Sequence, residues 1–174
     1  MKIFLLAGKS ESGKQEVAKL IKEHYVYEYK KSAITSFGKY IKNFAVELTE
    51  WDGNSLTTDI SALQEIGGNI RSINPDFLVD NILKDMIVYE KYVDVVIVDD
   101  VMFPREIDKF KNSYDDVYAI SVENQFKASN LSVNEQIDIA EIALEDYQDF
   151  DYTIVNTTLE DLRKDVFEIL KGIE

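Results

Sequence analysis

The chain opens on an apolar run, "MKIFLLA", followed directly by "GKSESGKQ". This junction constrains the fold more than any other feature. A short continuous apolar stretch bounded by glycine reads as a buried strand. Val17, Leu20 and Ile21 then recur at helical spacing, so a helix starts near Gly13. A glycine-rich turn between strand and helix presents backbone N–H groups at the positive end of the helix dipole, which suits a bound phosphate. Gly8, Lys9, Ser10, Glu11, Ser12, Gly13, Lys14 and Gln15 follow the pattern G-x-x-x-x-G-K-[ST] up to its last letter. Lys14 would reach the terminal phosphates. A tight turn carrying a surface lysine is the bland alternative. At the last letter a hydroxyl normally ligates magnesium, and here stands Gln15. Its carbonyl offers a neutral, longer substitute, directly or through water. The other reading makes Gln15 a first-turn helix residue with no role at a metal.

The rest of the chain alternates the same two patterns. Strands are expected at Ile3–Ala7, Ser32–Ser36, "VDVVIVDDV", Val117–Val122 and Tyr152–Val155. Helices are expected from Gly13 to about Glu23 and over Gly38–Leu48, Ile60–Ile73, Asp76–Glu90, from "FPREIDKF" onward, Asn134–Glu145 and Thr158–Leu170. "HYVYEYK" alternates tyrosines as if between core and surface. Buried β-branched strands separated by helices predict an α/β domain with about five parallel strands covered on both faces. Ligands bind such sheets at the carboxyl ends of the strands.

Composition removes several chemistries. The chain has 174 residues and no cysteine, which excludes disulfides, thiolate metal sites and cysteine nucleophiles. The single histidine, His24, leaves no room for a His-rich metal site and argues against a Ser-His-Asp triad. It falls near the end of the first helix, where the dipole favours a positive charge. A net charge of −14 repels nucleic acid and anionic lipid. No stretch is long and apolar enough to span a membrane or serve as a signal peptide, so the expected location is cytoplasmic. A small phosphorylated ligand remains compatible with this charge, because local N–H groups and a few cations can hold it.

Asp99 and Asp100 end the clearest strand. Acids there can hold magnesium, orient its waters or accept a substrate proton. A polar strand end is the plain alternative, and the neighbouring phosphate loop favours the functional one. Arginines are scarce: Arg71, Arg105 and Arg163. Arg71 is the best clamp for a substrate phosphate, since a guanidinium grips phosphate bidentately. The competing role for Arg71 is a salt bridge with an acid such as Asp76. Arg163 falls on the closing helix as a surface residue. Trp51 in "EWDGNS" is expected to pack rather than to stack on a ligand.

Five segments carry a resemblance. They are "GKSESGKQEVA", "SFGKYIK", "LQEIGGNIRSINPDFLVDNIL", "VIVDDVMFPREID" and "AEIALEDYQDFDYTIVN". Over nearly its whole length the chain resembles the deoxynucleoside monophosphate kinase and phosphomevalonate-kinase-like branch of the P-loop kinases, related in fold to adenylate kinase. The third segment is the most specific, carrying Gln64, Gly67, Arg71, Asn74 and Pro75 onto family positions. Asp100, Phe103, Pro104 and Glu106 match in the fourth, and Glu141, Leu144, Asp151 and Asn156 in the fifth. Gln15 stands where the branch has aspartate, Met102 where it has arginine, and Asp138 and Ala140 where it has histidine and serine. Arg105 lies three residues beyond Met102.

The resemblance implies one three-layer P-loop NTPase domain over 1–174, with a small helical acceptor region about 37–75 and a short lid about 123–137. It implies ATP and Mg2+ and a small phosphorylated acceptor, foremost a nucleoside or deoxynucleoside monophosphate. In that reading Lys14, Asp100, Arg71 and Arg105 are catalytic. Phe37, Lys42, Gln64 and Arg71 face the acceptor. Asp99, Asp100 and Gln15 hold the metal, and Asn156 and Thr157 meet the adenine. Two alternatives share the fold: a nucleotide-binding sensor or partner module without turnover, and a kinase of a non-nucleotide phosphate such as a phosphomevalonate-like acceptor. The sequence gives no oligomeric state.

Overall fold

The structure is a computed structural model, and it describes residues 1–54, 60–124, 143–144 and 146–173. A five-stranded, wholly parallel sheet runs in the order β2-β3-β1-β4-β5, with β1 Lys2–Ala7, β2 Ser32–Thr35, β3 Val95–Val101, β4 Val117–Asn124 and β5 Tyr152–Asn156. Six helices are described: α1 Lys14–Tyr27, α2 Gly38–Leu48, α3 Ile60–Ile73, α4 Phe77–Tyr92, α5 Pro104–Ser113 and α6 Leu159–Ile173.

β1 is central because it is apolar on both faces. Ile3 pairs with Val96 on one side and Val117 on the other. Successive side chains leave opposite faces of a strand, so one run feeds two cores. Ile3, Leu5 and Ala7 pack with Val96, Val98, α4 and Phe110 of α5. Phe4 and Leu6 pack with Val95 and Ile97, and with the apolar stripes of α1 and α6.

The expected elements form, with differences at their ends. α1 continues past Glu23 to Tyr27. Tyr25 is buried and completes the stripe Val17, Ala18, Ile21, Tyr25, while Tyr27 and Tyr29 are exposed. The tyrosines that look like strand alternation are the last turn of a helix followed by a left-handed residue, Tyr29, at φ 57°. His24 lies in that last turn, 3.3 Å from Glu28. Trp51 donates its indole N–H to the Asn54 carbonyl at 3.0 Å. Nearly all of the helix expected over Asn134–Glu145 lies outside the described residues, as do Asp138, Ala140, Glu141 and the lid beyond Asn124.

α6 begins on a side-chain cap. Thr158 Oγ1 accepts the Asp161 N–H at 3.1 Å and donates to the Asp161 carboxylate at 2.7 Å. Those hydroxyl bonds, from Thr158 first and Thr157 second, lower the Asp161 pKa. Thr157 is therefore engaged at a helix start.

Candidate active site

The loop after β1 is built by two close approaches. Gly8 has φ +146°, and a Cβ there would stand 2.2 Å from the Val122 carbonyl oxygen of β4. Gly13 has φ +105°, and a Cβ there would stand 2.4 Å from Asn156 Nδ2. Only glycine accepts such positions without strain. Asn156 donates to the Ser12 carbonyl at 3.0 Å, and Asn124 donates to the Glu11 carbonyl at 3.3 Å. The carboxyl ends of β4 and β5 thus hold the loop in shape. Lys14 Nζ folds back on the Gly8 and Lys9 carbonyls, at 2.6 and 2.8 Å. Ser12 is buried, and among the described residues its hydroxyl has no hydrogen-bond partner.

This loop forms one wall of a cleft of about 1250 Å³. A single small-molecule pocket is typically ~300–1,000 Å³, so the cleft has room for two ligands. Gly8, Ser10, Glu11, Ser12, Gly13, Lys14 and Gln15 line one side, and Lys42, Gln64, Arg71 and Arg105 line another. Asp99 and Asp100, near the end of β3, also line the cleft. Lys19 adds a further cation. With Glu11, Glu16, Asp99 and Asp100 also in the lining, five cations face four acids, against 19 and 33 in the whole chain, so the cleft is less negative than the protein as a whole and suits an anionic ligand better.

The two acids differ. Burial raises the Asp99 carboxyl above its ordinary value, opposed by its own backbone N–H and the charges of Lys14 and Lys42. One carboxylate therefore feels both the lysine of the phosphate loop and that of α2. Asp100 is committed to the fold. Its two oxygens accept the Phe37 and Gly38 N–H groups, each at 2.8 Å, fixing the start of α2. Burial pushes the Asp100 pKa up to about 6.

Phe37 does not face an acceptor. Its side chain is 1% exposed in the core, and only its backbone N–H reaches the site, through Asp100. The ion pairs also differ from expectation. Asp76 meets Lys109 at 2.9 Å and the half-exposed Arg105 at 3.6 Å. Arg71 instead lies 3.6 Å from Glu106 and over the Phe103 ring, 4.9 Å from its centroid. The segment 103–106 carries a local signal for Glu106, the Pro and Glu of a helix first turn. Its Oε2 accepts the Met102 and Phe103 N–H groups at 2.9 and 3.1 Å, in the manner of a capping box. Burial pushes the Glu106 pKa up to about 7, against the pull of those N–H groups and Arg71.

This has a consequence for stability. The native state keeps a proton on Glu106 at pH values where the unfolded chain has lost it, so stability falls as pH rises from the ordinary glutamate value of 4.5 through about 7. Urea midpoints are expected to decline between about pH 5 and pH 7.5, with Glu106→Gln showing a shallower decline. An identical slope in the variant would contradict the assignment.

The Gly8–Gln15 turn, its buried Ser12 hydroxyl and Lys14 suit a triphosphate. Among the described residues no group of three or more His, Cys, Asp or Glu side chains is arranged to hold a metal. Magnesium asks for less, since one or two carboxylates with nucleotide phosphates and waters suffice. Asp99 and Gln15 both line the cleft and offer oxygen atoms of the kind magnesium takes.

No protein-family pattern matches the sequence, and no curated protein matches it. Solved structures do match over nearly full length. Shikimate kinase from Aquifex aeolicus is similar with TM-score 0.53 and 16% identity, covering 99% of this chain and 97% of that one. A sugar kinase from a Janibacter species gives 0.58 and 11%, covering 98% and 95%. The Mycobacterium tuberculosis APS kinase in complex with AMPPNP and APS gives 0.52 and 12%, covering 98% and 97%. At these identities the likeness establishes architecture, and the chain has the α/β fold of the P-loop kinases.

Proposed function

We propose that this protein transfers the γ-phosphoryl group of ATP to a small phosphorylated acceptor, foremost a nucleoside or deoxynucleoside monophosphate. The observation that carries the reading is Asp99, which lines one cleft with Lys14 of the phosphate loop and Lys42 of α2 and feels the charge of both. The APS kinase that shares the fold holds AMPPNP and APS together, which supports a donor and an acceptor in one site.

The chemistry needs positioning and charge more than covalent help. The N–H groups of the Gly8–Gln15 turn would hold the donor phosphates. Lys14 would exchange its bonds to the Gly8 and Lys9 carbonyls for phosphate oxygens. Arg71 and Lys42 would hold the acceptor phosphate, with Gln64 beside them and Arg105 at the rim. An acceptor oxygen attacks the γ-phosphorus, the bond to the bridging oxygen breaks, and ADP leaves. Magnesium, held by Asp99 and by Gln15 through water, would neutralise charge on the donor phosphates. Asp100 would act by fixing α2 and hence Lys42. Asn156, bonded to the Ser12 carbonyl, would be on the side of the adenine, with Thr157 next to it in sequence.

Labelled ATP with magnesium and a panel of nucleoside monophosphates, sugar phosphates and phosphomevalonate tests the reading. Label is expected in a nucleoside diphosphate. Label in another acceptor would move the assignment to that class, and ATP binding without any labelled product would leave a nucleotide-binding module.

A further inference from the structure

We infer that Glu106 is a positioning residue for the acceptor site, acting through Arg71; this rests on the reading of that site as a phosphate-binding one. The two charges are not a surface pair. The Glu106 side chain is 3% exposed and that of Arg71 18%, so above about pH 7, where Glu106 is ionised, the two charges compensate each other, with Asp100 a second carboxyl acting on both. Glu106 is itself fixed, because Oε2 is occupied by the Met102 and Phe103 N–H groups. That leaves Oε1, the atom 3.6 Å from Arg71 Nη2.

The guanidinium is confined on its other sides as well. The Phe103 ring lies under it, and Met102 Sδ is 3.9 Å from Nη2. Gly67, one turn earlier on α3, leaves the space it needs: a Cβ there would stand 3.3 Å from Arg71 Nη1 and 2.9 Å from Ile41 Cδ1. A long arginine loses much rotamer freedom when it is fixed. Here that cost is met on folding, so a phosphate finds the fork already placed. The first turn of α5 therefore sets the acceptor site without touching the acceptor.

Glu106→Gln, compared with the wild type at about pH 8 where Glu106 is ionised, is the test, because the amide carbonyl keeps the bonds from Met102 and Phe103 while the charge is lost. Two readouts are needed. The first is side-chain NMR of the guanidinium, assigned with Arg71→Lys. Arg71 is expected to show hindered rotation in the wild type and free rotation in Glu106→Gln. The second is titration of dAMP, dCMP, dGMP and dTMP with AMPPNP present. Glu106→Gln is expected to weaken the nucleotide that the wild type binds by roughly tenfold, with AMPPNP affinity unchanged. In an Arg71→Met background the same change is expected to add nothing further, since it acts through the missing side chain. An unchanged guanidinium signal overturns the inference. So does equal weakening of nucleotide binding with and without Arg71. Should the wild type bind none of the four nucleotides, the nucleoside monophosphate reading fails, while the guanidinium signal still decides whether Glu106 places Arg71.

Discussion

Lys14→Ala is expected to lower turnover by roughly 10²–10³-fold while leaving the fold nearly intact. The asymmetry follows from where the ammonium sits. Without ligand it bonds two loop carbonyls at the lip of the cleft, at 2.6 and 2.8 Å, and its removal returns those carbonyls to water. During transfer it would face charge developing on the γ-phosphoryl group, with the cleft walls limiting solvent screening. The loop keeps its shape through the Asn156 and Asn124 contacts, neither of which involves Lys14. Thermal unfolding and kcat measured on the same variant separate the two effects. A large fall in melting temperature with unchanged kcat would assign Lys14 to the fold.

The second large effect separates the paired acids. Asp99→Asn is expected to abolish most of the magnesium dependence of ATP binding, and to cut turnover on the order of 10²-fold, with little loss of stability. Asp100→Asn is expected to destabilise the fold as well. Its two oxygens accept two N–H groups, and an amide group offers one acceptor oxygen and turns a donor toward the other N–H. Leaving that N–H unpaired costs about 1–3 kcal/mol. Gln15→Asp should strengthen magnesium dependence modestly. Calorimetric titration of ATP with and without magnesium, set beside urea midpoints, distinguishes the variants. If Asp99→Asn retains full magnesium dependence, the metal is held elsewhere.

Local patterns carried most of the fold. The run Ile3–Ala7 and the glycine loop define β1, the turn and α1 from adjacent residues. "VDVVIVDDV" defines β3 in the same way. Helix-period stripes give α2 and α3 with their ends. What stayed hidden depends on distance along the chain. Asp100 caps α2 across 62 and 63 residues. Arg71 pairs with Glu106 while Asp76, nearer in sequence, takes Lys109 and Arg105. Neither choice leaves a trace in spacing, because both are made by the packing of α3, α4 and α5 around the end of β3. Phe37 shows the same limit. Its place after β2 is legible, but whether its ring faces the cleft or the core is decided by where β3 and α4 lie. The end of α1 was ambiguous for another reason. Tyrosines two apart match strand alternation as well as helix periodicity, and Tyr25 four residues after Ile21 is the feature that decides between them.

One titration tests most directly whether donor and acceptor sites share the cleft. Two nucleosides joined by a five-phosphate chain would occupy both at once, so the second contact is made at the high effective concentration of a tethered ligand. Wild-type protein is expected to bind this compound roughly 10²-fold or more tightly than ATP. Arg71→Met should remove most of that advantage, while Lys14→Ala should weaken ATP and the joined compound together. Binding no tighter than ATP, with Arg71→Met without effect, would contradict the shared site and the phosphoryl transfer built on it.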